Sequence, residues 1–208
     1  MFTGIVAGLF KVKAVQRRSN FLHYSVLIPQ ELSVGLRIGA SISIDGVCQT
    51  VVRLNQNSEG EIEVFFDAIQ ETLEKTTLGS LKPGQTVNLE RAAKIGDEIG
   101  GHLLSGHIVG RMRIHSIQAL ENSKTIRFQC DPKWMKYLFP KGFVAIDGAS
   151  LTLVDVDPKA ELSVHLIPET LRMTTLGYKQ VGDWVNLELD AQTQAIVDTV
   201  ERVLAQRE

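Results

Sequence analysis

The chain has 208 residues, enough for one large domain or two small ones. Hydrophobic residues make up 44% of it and charged residues 22%, which is typical of a globular protein and argues against wholesale disorder. Its 22 basic and 24 acidic residues give a net charge of −2 with no long Lys/Arg block, which argues against a nucleic-acid-binding protein. No apolar run approaches the ~18 residues of a membrane helix, and the start lacks the pattern of a signal peptide, so we expect a cytoplasmic protein.

Most of the predicted elements are short strands. Alternating apolar and polar residues predict strands over residues 41–45, 48–53, 61–66 and 85–90. Asp-Gly pairs at 45–46 and 147–148 are typical of tight hairpin turns. Residues 131–139 predict one short helix, with Asp131 as N-cap and Pro140 after its end, and residues 29–36 predict a weaker counterpart.

The second half of the chain repeats the first. Thirteen of 24 positions match between residues 67–90 and 165–188, and five of ten match between residues 43–52 and 145–154. Residues 1–8 align with 103–110 at an offset of 102, which falls to 98 after residues 55–60, so one loop is shorter in the second copy. A period near 100 residues is that of a whole small domain. We therefore predict an all-β protein with homologous domains at residues 1–101 and 102–190, each a closed barrel of about six strands.

A tail of residues 191–208 follows the second copy and predicts a terminal amphipathic helix. Ile196, Val200, Val203 and Leu204 fall on one helical face. The chain has no sister helix to cover them, so the stripe either packs on its own barrel or meets copies of itself. The second interpretation is favoured, because self-association commonly buries such a stripe.

The two cysteines are not equivalent as candidate functional residues. Neither Cys48 nor Cys130 belongs to a Cys-x-x-Cys motif, so we predict neither a zinc site nor a disulfide. Cys48 aligns with Ser150, which gives one copy a nucleophilic thiol and the other a hydroxyl. Two interpretations stay open: two related pockets with unequal roles, or drift in a duplicated domain.

The junction between the copies carries two histidines. His102 and His107 are five residues apart with no evident third ligand, which argues against a metal site and favours hydrogen-bonding or ligand-facing side chains. Gly100 and Gly101 before them predict a flexible joint. The Glu-Thr-Leu motif recurs at 71–73 and 169–171, where a turn or capping role competes with a role in ligand binding.

Six motifs in order carry a family resemblance. They are Met-Phe-Thr-Gly-Ile-Val at 1–6, Gly-x-Cys-x-Thr-Val at 46–51, Glu-Ile-Gly-Gly-His-x-x-Ser-Gly-His at 98–107, Lys-Gly-x-x-x-Ile-Asp-Gly-x-Ser-Leu-Thr at 141–152, His-Leu-Ile-Pro-Glu-Thr-Leu at 165–171 and Gln-Thr-Gln-Ala-Ile-Val-Asp-Thr-Val-Glu-Arg at 192–202. With the duplication, they resemble the alpha-chain type of riboflavin synthase from end to end.

The resemblance implies two six-stranded Greek-key barrels and a C-terminal helix that organises a homotrimer. It implies a dismutation in which two molecules of 6,7-dimethyl-8-ribityllumazine exchange a four-carbon unit, giving riboflavin and 5-amino-6-ribitylamino-pyrimidinedione without a metal or redox cofactor. The active site would lie between the first barrel of one subunit and the second barrel of its neighbour. Lumazine synthase is a candidate partner on the same basis.

The resemblance also implies the site residues. The first-barrel pocket would use Phe2, Gly4, Ile5, Val6, Ser41, Cys48, Gln49 and Thr50 with Asp67, Ala68, Ile69, Gln70, Glu71 and Thr72. The second would use Gly106, His107, Ile108, Lys141, Ser150, Leu151 and Thr152 with His165, Leu166, Ile167, Pro168, Glu169 and Thr170. The catalytic candidates are Cys48, His102, Ser41, Asp147 and Ser150. Cys48 and His102 would assist proton or nucleophile steps, Ser150 and Thr152 would hold the second ring, and His102 and Asp147 would support the interface and the second pocket.

Two departures from the family pattern keep alternatives open. Asp45 stands where the family usually has Asn, and Gln49 where it usually has Leu. An ionised Asp donates no hydrogen bond, so a paralogue that binds lumazine or flavin without turnover, as a carrier or fluorescent antenna, is an alternative. Retention of Cys48 and of the second-barrel motif favours the enzyme. A protein-interaction barrel is a third interpretation, but it gives no reason for the paired motifs.

Overall fold

Two closed antiparallel barrels of six strands each form the molecule, in a computed structural model that describes residues 1–56, 60–157 and 159–206. The first contains β1 (Gly8–Arg18), β2 (Phe21–Ile28), β3 (Ser41–Ile44), β4 (Val47–Gln56), β5 (Ile62–Ile69) and β6 (Thr86–Arg91). The second contains β7 (Gly110–Leu120), β8 (Ser123–Gln129), β9 (Phe143–Ile146), β10 (Ala149–Asp157), β11 (Glu161–Leu166) and β12 (Trp184–Leu189). Around the ring the orders are β1-β2-β5-β4-β3-β6 and β7-β8-β11-β10-β9-β12, so the duplication extends to topology and the predicted fold is confirmed.

Strand alternation fills each barrel with one face of its strands. Tyr24 and Phe66 are fully buried in the first barrel, as are Met112 and Phe128 in the second. The predicted tight turns are also confirmed. Asp45 and Gly46 have φ of 45° and 83°, and Asp147 and Gly148 have φ of 46° and 81°, the paired left-handed conformations of a type I′ hairpin.

Helices are short except at the C-terminus. They are α1 (Gln30–Ser33), α2 (Gln70–Lys75), α3 (Pro168–Met173) and α4 (Ala191–Ala205), with 3-10 helices at Thr77–Ser80, Pro132–Tyr137 and Thr175–Gly177. The helix predicted at 131–139 is the 3-10 helix Pro132–Tyr137, whose start Asp131 caps by accepting from the Lys133 backbone N–H at 3.1 Å. The expectation of one helix per copy was wrong because α2 and α3, with six residues each, are too short to show a helical period.

The helix α4 contacts its own barrel on one side only. Asp190 caps it, Val197 packs against the core of the second barrel, and the Tyr137 hydroxyl donates to the Asp198 carboxylate. The predicted apolar stripe remains exposed on the other side, at Ile196, Val200, Val203 and Leu204. The structure thus leaves the stripe uncovered by its own chain.

The strands of each barrel lie within the predicted ranges 1–101 and 102–190, and the boundaries themselves stay a prediction. The predicted difference in loop length falls between β4 and β5 and between β10 and β11, where residues 57–59 and 158 lie outside the described residues. Across the described ranges, no helix is long and apolar enough to cross a membrane.

Candidate active site

The segment that precedes each barrel crosses to the other barrel. The Gly4 carbonyl accepts a hydrogen bond from the Ser150 backbone N–H at 2.9 Å, which joins the N-terminal segment to β10. The Gly106 carbonyl accepts from the Cys48 backbone N–H at 2.9 Å, which joins the inter-barrel segment to β4. The crossing therefore places the N-terminal segment beside Ser150 and the inter-barrel segment beside Cys48, which are the aligned hydroxyl and thiol of the two copies.

Glycine is required at both crossing points. Gly4 has φ +76° and Gly106 has φ +80°, a region that favours glycine. A Cβ atom would lie 2.5 Å from the Ser150 Cβ at Gly4, and 2.6 Å from the Cys48 Cβ at Gly106. Neither backbone could approach so closely with a side chain present.

Each crossing closes one wall of a cavity. Pocket A has a volume of about 310 Å³ and is lined by Val47, Cys48, Glu71, Thr72, Lys75, Thr76, Gly106, His107 and Ile108. Pocket B has a volume of about 250 Å³ and is lined by Gly4, Ile5, Val6, Ala149, Ser150, Glu169, Thr170, Met173 and Thr174. The volumes are near the lower end for small-molecule sites, and both walls combine apolar side chains with a few polar groups.

This geometry corrects the expected grouping of residues. Residues 4–6 were expected with Cys48 and residues 106–108 with Ser150, but the structure exchanges the two segments. The grouping by position along the chain was wrong because the backbone hydrogen bonds of the crossing override it.

His102 and Ser150 meet beside the crossing. The His102 Nδ1 atom lies 2.6 Å from the Ser150 Oγ, and the imidazole stacks on the Phe143 ring with centroids 4.9 Å apart. Burial lowers the pKa of His102, opposed by the charge of Asp190, so the neutral imidazole is favoured at pH 7. A neutral imidazole can share a proton with the serine hydroxyl. Within the described ranges, no three His, Cys, Asp or Glu side chains are placed to hold a metal ion.

Asp147 lies in a buried layer between the barrels and outside both pocket linings. Its Oδ1 accepts from the Asn186 backbone N–H at 2.7 Å, and Asn186 Nδ2 donates to the Asp45 carbonyl at 2.8 Å. Asp45 and Asn88 make the equivalent contacts. Asp45 Oδ1 accepts from the Asn88 backbone N–H at 2.7 Å, and Asn88 Nδ2 donates to the Asp147 carbonyl at 2.8 Å. The structure therefore places Asp147 at the inter-barrel interface and separates it from the second pocket.

The two buried carboxyl groups of this layer, Asp45 and Asp147, differ in their contact with a cation. Lys179 Nζ lies 3.3 Å from Asp147 Oδ2. Burial, and then repulsion by Asp147, raise the pKa of Asp45 to about 8, although Lys179 opposes the shift. Burial also raises the pKa of Asp147, with Lys179 as the largest opposing charge. For Lys179, burial acts to lower the pKa, but attraction to Asp147 and Asp45 outweighs it and raises the pKa. A single cation thus serves two buried carboxyl groups.

Four predicted pocket residues turn their side chains into the barrels. Gln49 accepts from the Tyr24 hydroxyl at 3.2 Å and donates to the Cys48 carbonyl at 2.9 Å, so its amide group is held inside the first barrel. The other three are Ala68, Leu151 and Leu166, whose side chains are buried in the barrel cores. Strand alternation explains this, because neighbours of pocket-facing residues point the opposite way.

The remaining predicted residues lie outside the two linings. Ser41 pairs with Thr50 across β3 and β4, and Thr152 pairs with Phe143 across β9 and β10. Asp67 contacts His23 at 2.6 Å on β5. The others are Phe2, buried between the barrels, and Ile69, Gln70, Lys141, His165, Ile167 and Pro168, which are exposed.

The predicted flexible joint is instead a packed crossing. Phe2 and Leu104 exchange backbone hydrogen bonds of 2.8 and 3.0 Å, and the His102 N–H donates to the Thr3 carbonyl. Gly101 packs against Thr3 with no room for a side chain. Gly101 therefore allows close approach of two backbones, and the interpretation as a flexible joint was wrong.

Sequence reasoning missed several residues that shape the pockets. Lys75, Thr76, Met173 and Thr174 line them, and Glu90 and Glu188 hold the crossing turns. Burial raises the pKa of both glutamates, opposed by hydrogen bonds from the backbone N–H groups they accept. The repeated Thr-Thr-Leu-Gly and Val-Asn-Leu-Glu motifs, at 76–79 with 174–177 and at 87–90 with 185–188, contained the signal.

Comparisons with known proteins agree with this architecture. The lumazine binding domain matches the chain twice, over residues 3–92 and 105–190. Riboflavin synthase of Escherichia coli (strain K12) is 51% identical over 100% of this chain and 95% of its own length, and riboflavin synthase of Chlamydia pneumoniae is 46% identical over 99% and 98%. The crystal structure of LumP complexed with riboflavin matches with a TM-score of 0.82 at 23% identity, over 91% of this chain and all of that one. The end-to-end identity and the doubled domain show that the chain belongs to the riboflavin synthase family.

Proposed function

We propose that the chain is a riboflavin synthase that converts two molecules of 6,7-dimethyl-8-ribityllumazine into riboflavin and 5-amino-6-ribitylamino-pyrimidinedione. The observation that carries the proposal is the 51% identity to a riboflavin synthase over the whole chain. The paired pockets support it independently, because a reaction between two identical molecules needs two related but unequal binding sites.

The reaction balances within the two substrate molecules. One lumazine gives up a four-carbon unit, made of the two ring carbons that carry its methyl groups and the methyl carbons themselves. The other accepts that unit and becomes riboflavin, while the donor leaves as the pyrimidinedione. No external oxidant or reductant is consumed. The C7 methyl group is unusually acidic, so a positioned base or hydroxide can begin the sequence.

The pocket residues would contribute three effects. Holding the two rings face to face supplies proximity, which can be worth many kcal/mol. Hydrogen-bond donors aimed at the ring carbonyls would stabilise the anion as it forms. The His102–Ser150 pair in one half and Cys48 in the other would bind, hold or move a proton at the ring edges.

The complete site is proposed to form between subunits. The stripe on α4 is exposed in the monomer, with Ile196 65% and Val200 52% exposed, and burial of such a stripe favours self-association. A homotrimer would bring pocket A of one subunit against pocket B of its neighbour. Cytoplasmic localisation and an association with lumazine synthase rest on the family resemblance alone.

The direct test is turnover. The purified chain is incubated with the lumazine, without added metal or cofactor, and yellow product is followed at the flavin absorption band. Equal amounts of riboflavin and pyrimidinedione are expected. Tight lumazine binding without riboflavin formation would select the carrier alternative, and absence of both binding and turnover would remove both proposals.

A further inference from the structure

A buried glutamate of the second barrel holds the turn that closes pocket A. Glu188 Oε1 accepts from the Ser105 backbone N–H at 2.7 Å and its hydroxyl at 2.9 Å, and from the Gly106 N–H at 3.1 Å. The Ser105 hydroxyl in turn accepts from the His107 N–H at 3.2 Å. With the Gly106 carbonyl on the Cys48 N–H, this chain of contacts runs from β12 of one barrel to β4 of the other.

The equivalent glutamate of the first barrel makes the same contacts in reverse. Glu90 Oε1 accepts from the Thr3 N–H at 2.6 Å and its hydroxyl at 2.8 Å, and Oε2 accepts from the Gly4 N–H at 3.0 Å. The Gly4 carbonyl accepts from the Ser150 N–H. Each glutamate therefore lies in one barrel and supports the pocket wall of the other.

The position of Glu90 and Glu188 requires a side chain that accepts hydrogen bonds on both of its oxygens. An ionised carboxylate only accepts, whereas a glutamine amide presents N–H groups to some of the same donors. Glu90 is 6% exposed and Glu188 is 3% exposed, so water has little access to replace a lost contact. A turn that loses its anchor shifts, and the pocket wall it carries shifts with it.

We infer that Glu188 and Glu90 are positioning residues that act crosswise: Glu188 sets the geometry of pocket A around Cys48, and Glu90 sets that of pocket B around Ser150. The inference deepens the proposed function, since it names what shapes each half of the site. It does not depend on turnover, because pocket geometry is measurable without it.

The Cys48 thiol is the natural reporter. It lines pocket A, whereas Cys130 is 4% exposed and burial raises its pKa to about 12, so alkylation by iodoacetamide reports Cys48. Glu188→Gln is expected to change the alkylation rate, and its protection by 6,7-dimethyl-8-ribityllumazine, by about fivefold or more, the size expected for one lost hydrogen bond. Glu90→Gln is expected to leave both within about twofold of the parent.

The reciprocal reporter moves the thiol to pocket B. In a Cys48→Ser, Ser150→Cys background, Glu90→Gln is expected to change the alkylation rate and Glu188→Gln to leave it unchanged. Glu121→Gln, at an exposed hairpin turn, is the matched control for both reporters. If a Gln variant does not fold, Ser105→Ala and Thr3→Ala keep the carboxylate and remove one hydroxyl, with its bond to the glutamate and its bond from the His107 or Ile5 N–H, and should give smaller crossed effects.

Three results would overturn the inference. They are an effect of each glutamate on the reporter in its own barrel, equal effects of both glutamates on both reporters, and no effect of either in folded variants. A crossed alkylation pattern in a chain that makes no riboflavin would uphold the inference and reject the proposed function.

Discussion

Pockets A and B are the same structure with different chemistry. Their nine lining positions correspond one to one through the duplication, and glycine, glutamate and two threonines are shared. Three of the differences change polarity: Cys48, His107 and Lys75 of pocket A correspond to Ser150, Ile5 and Met173 of pocket B. Pocket A therefore has a thiol, an imidazole and an ammonium group where pocket B has a hydroxyl and two apolar side chains. The two halves thus offer a ligand the same wall shape with different polar groups.

Separating the two pockets should have the largest effect. The double variant Ile196→Glu, Val200→Glu places charge on the exposed stripe of α4 and is expected to prevent assembly of the proposed homotrimer, because charged side chains resist burial. Turnover should fall more than about 100-fold, as the proximity of two rings is lost, while each pocket still binds lumazine. Light scattering and a turnover assay measure the two outcomes.

The control for that variant is Ala191→Glu, Ala195→Glu, which adds the same charge to exposed positions of the same helix away from the stripe. It should keep the parent mass and activity. A fully active monomer would show that both halves of the site lie within one chain.

Making the pockets alike at their most reactive position comes next. Cys48→Ser gives pocket A the hydroxyl of pocket B and is expected to lower turnover about 100-fold, since a thiol assists proton or nucleophile steps that a hydroxyl does not. Lumazine affinity should change much less. Comparison of kcat with the lumazine dissociation constant separates the two effects, and parent-like turnover would exclude Cys48 from the mechanism.

The cationic difference should have a moderate effect on binding. Lys75 donates to Glu71 at 2.8 Å, and this hydrogen bond lowers the pKa of Glu71. Lys75→Met copies pocket B and is expected to weaken lumazine binding in pocket A about three- to tenfold, because a charge-assisted hydrogen bond from the ammonium to a ring carbonyl is lost. Met173→Lys should strengthen binding in pocket B. Fluorescence titration is the measurement, and Lys94→Met at an exposed site is the control.

The repeat predicted the fold well because a duplication doubles every local signal. The Asp45-Gly46 turn, the strand alternation and the ring of six strands all follow from patterns within one copy. The crossing was not predictable in the same way. Exchange of residues 4–6 and 106–108 depends on contacts between positions about 58 and 146 residues apart, which no local pattern encodes. The inward side chain of Gln49 was not predictable for a related reason, since it follows from which face of β4 meets Tyr24.

The buried layer between the barrels contains the last difference, and it yields opposite expectations for two equivalent residues. Asp45 stays protonated in the folded chain up to about pH 8, whereas the pKa of an unperturbed aspartate, 3.8, applies once the chain unfolds. Between these values the folded state binds more protons than the unfolded state. The free energy of unfolding contributed by Asp45 is therefore fully present below about pH 4 and is lost as pH rises toward 8.

Asp45→Asn removes this loss and should raise the unfolding temperature by a few degrees, with the gap over the parent widening from pH 5 to pH 8. Asp147→Asn should instead lower it, because Lys179 then keeps a buried charge without the carboxylate 3.3 Å away. Calorimetry of both variants across pH measures the pair, and two shifts of the same sign would contradict the assignment of the cation to Asp147.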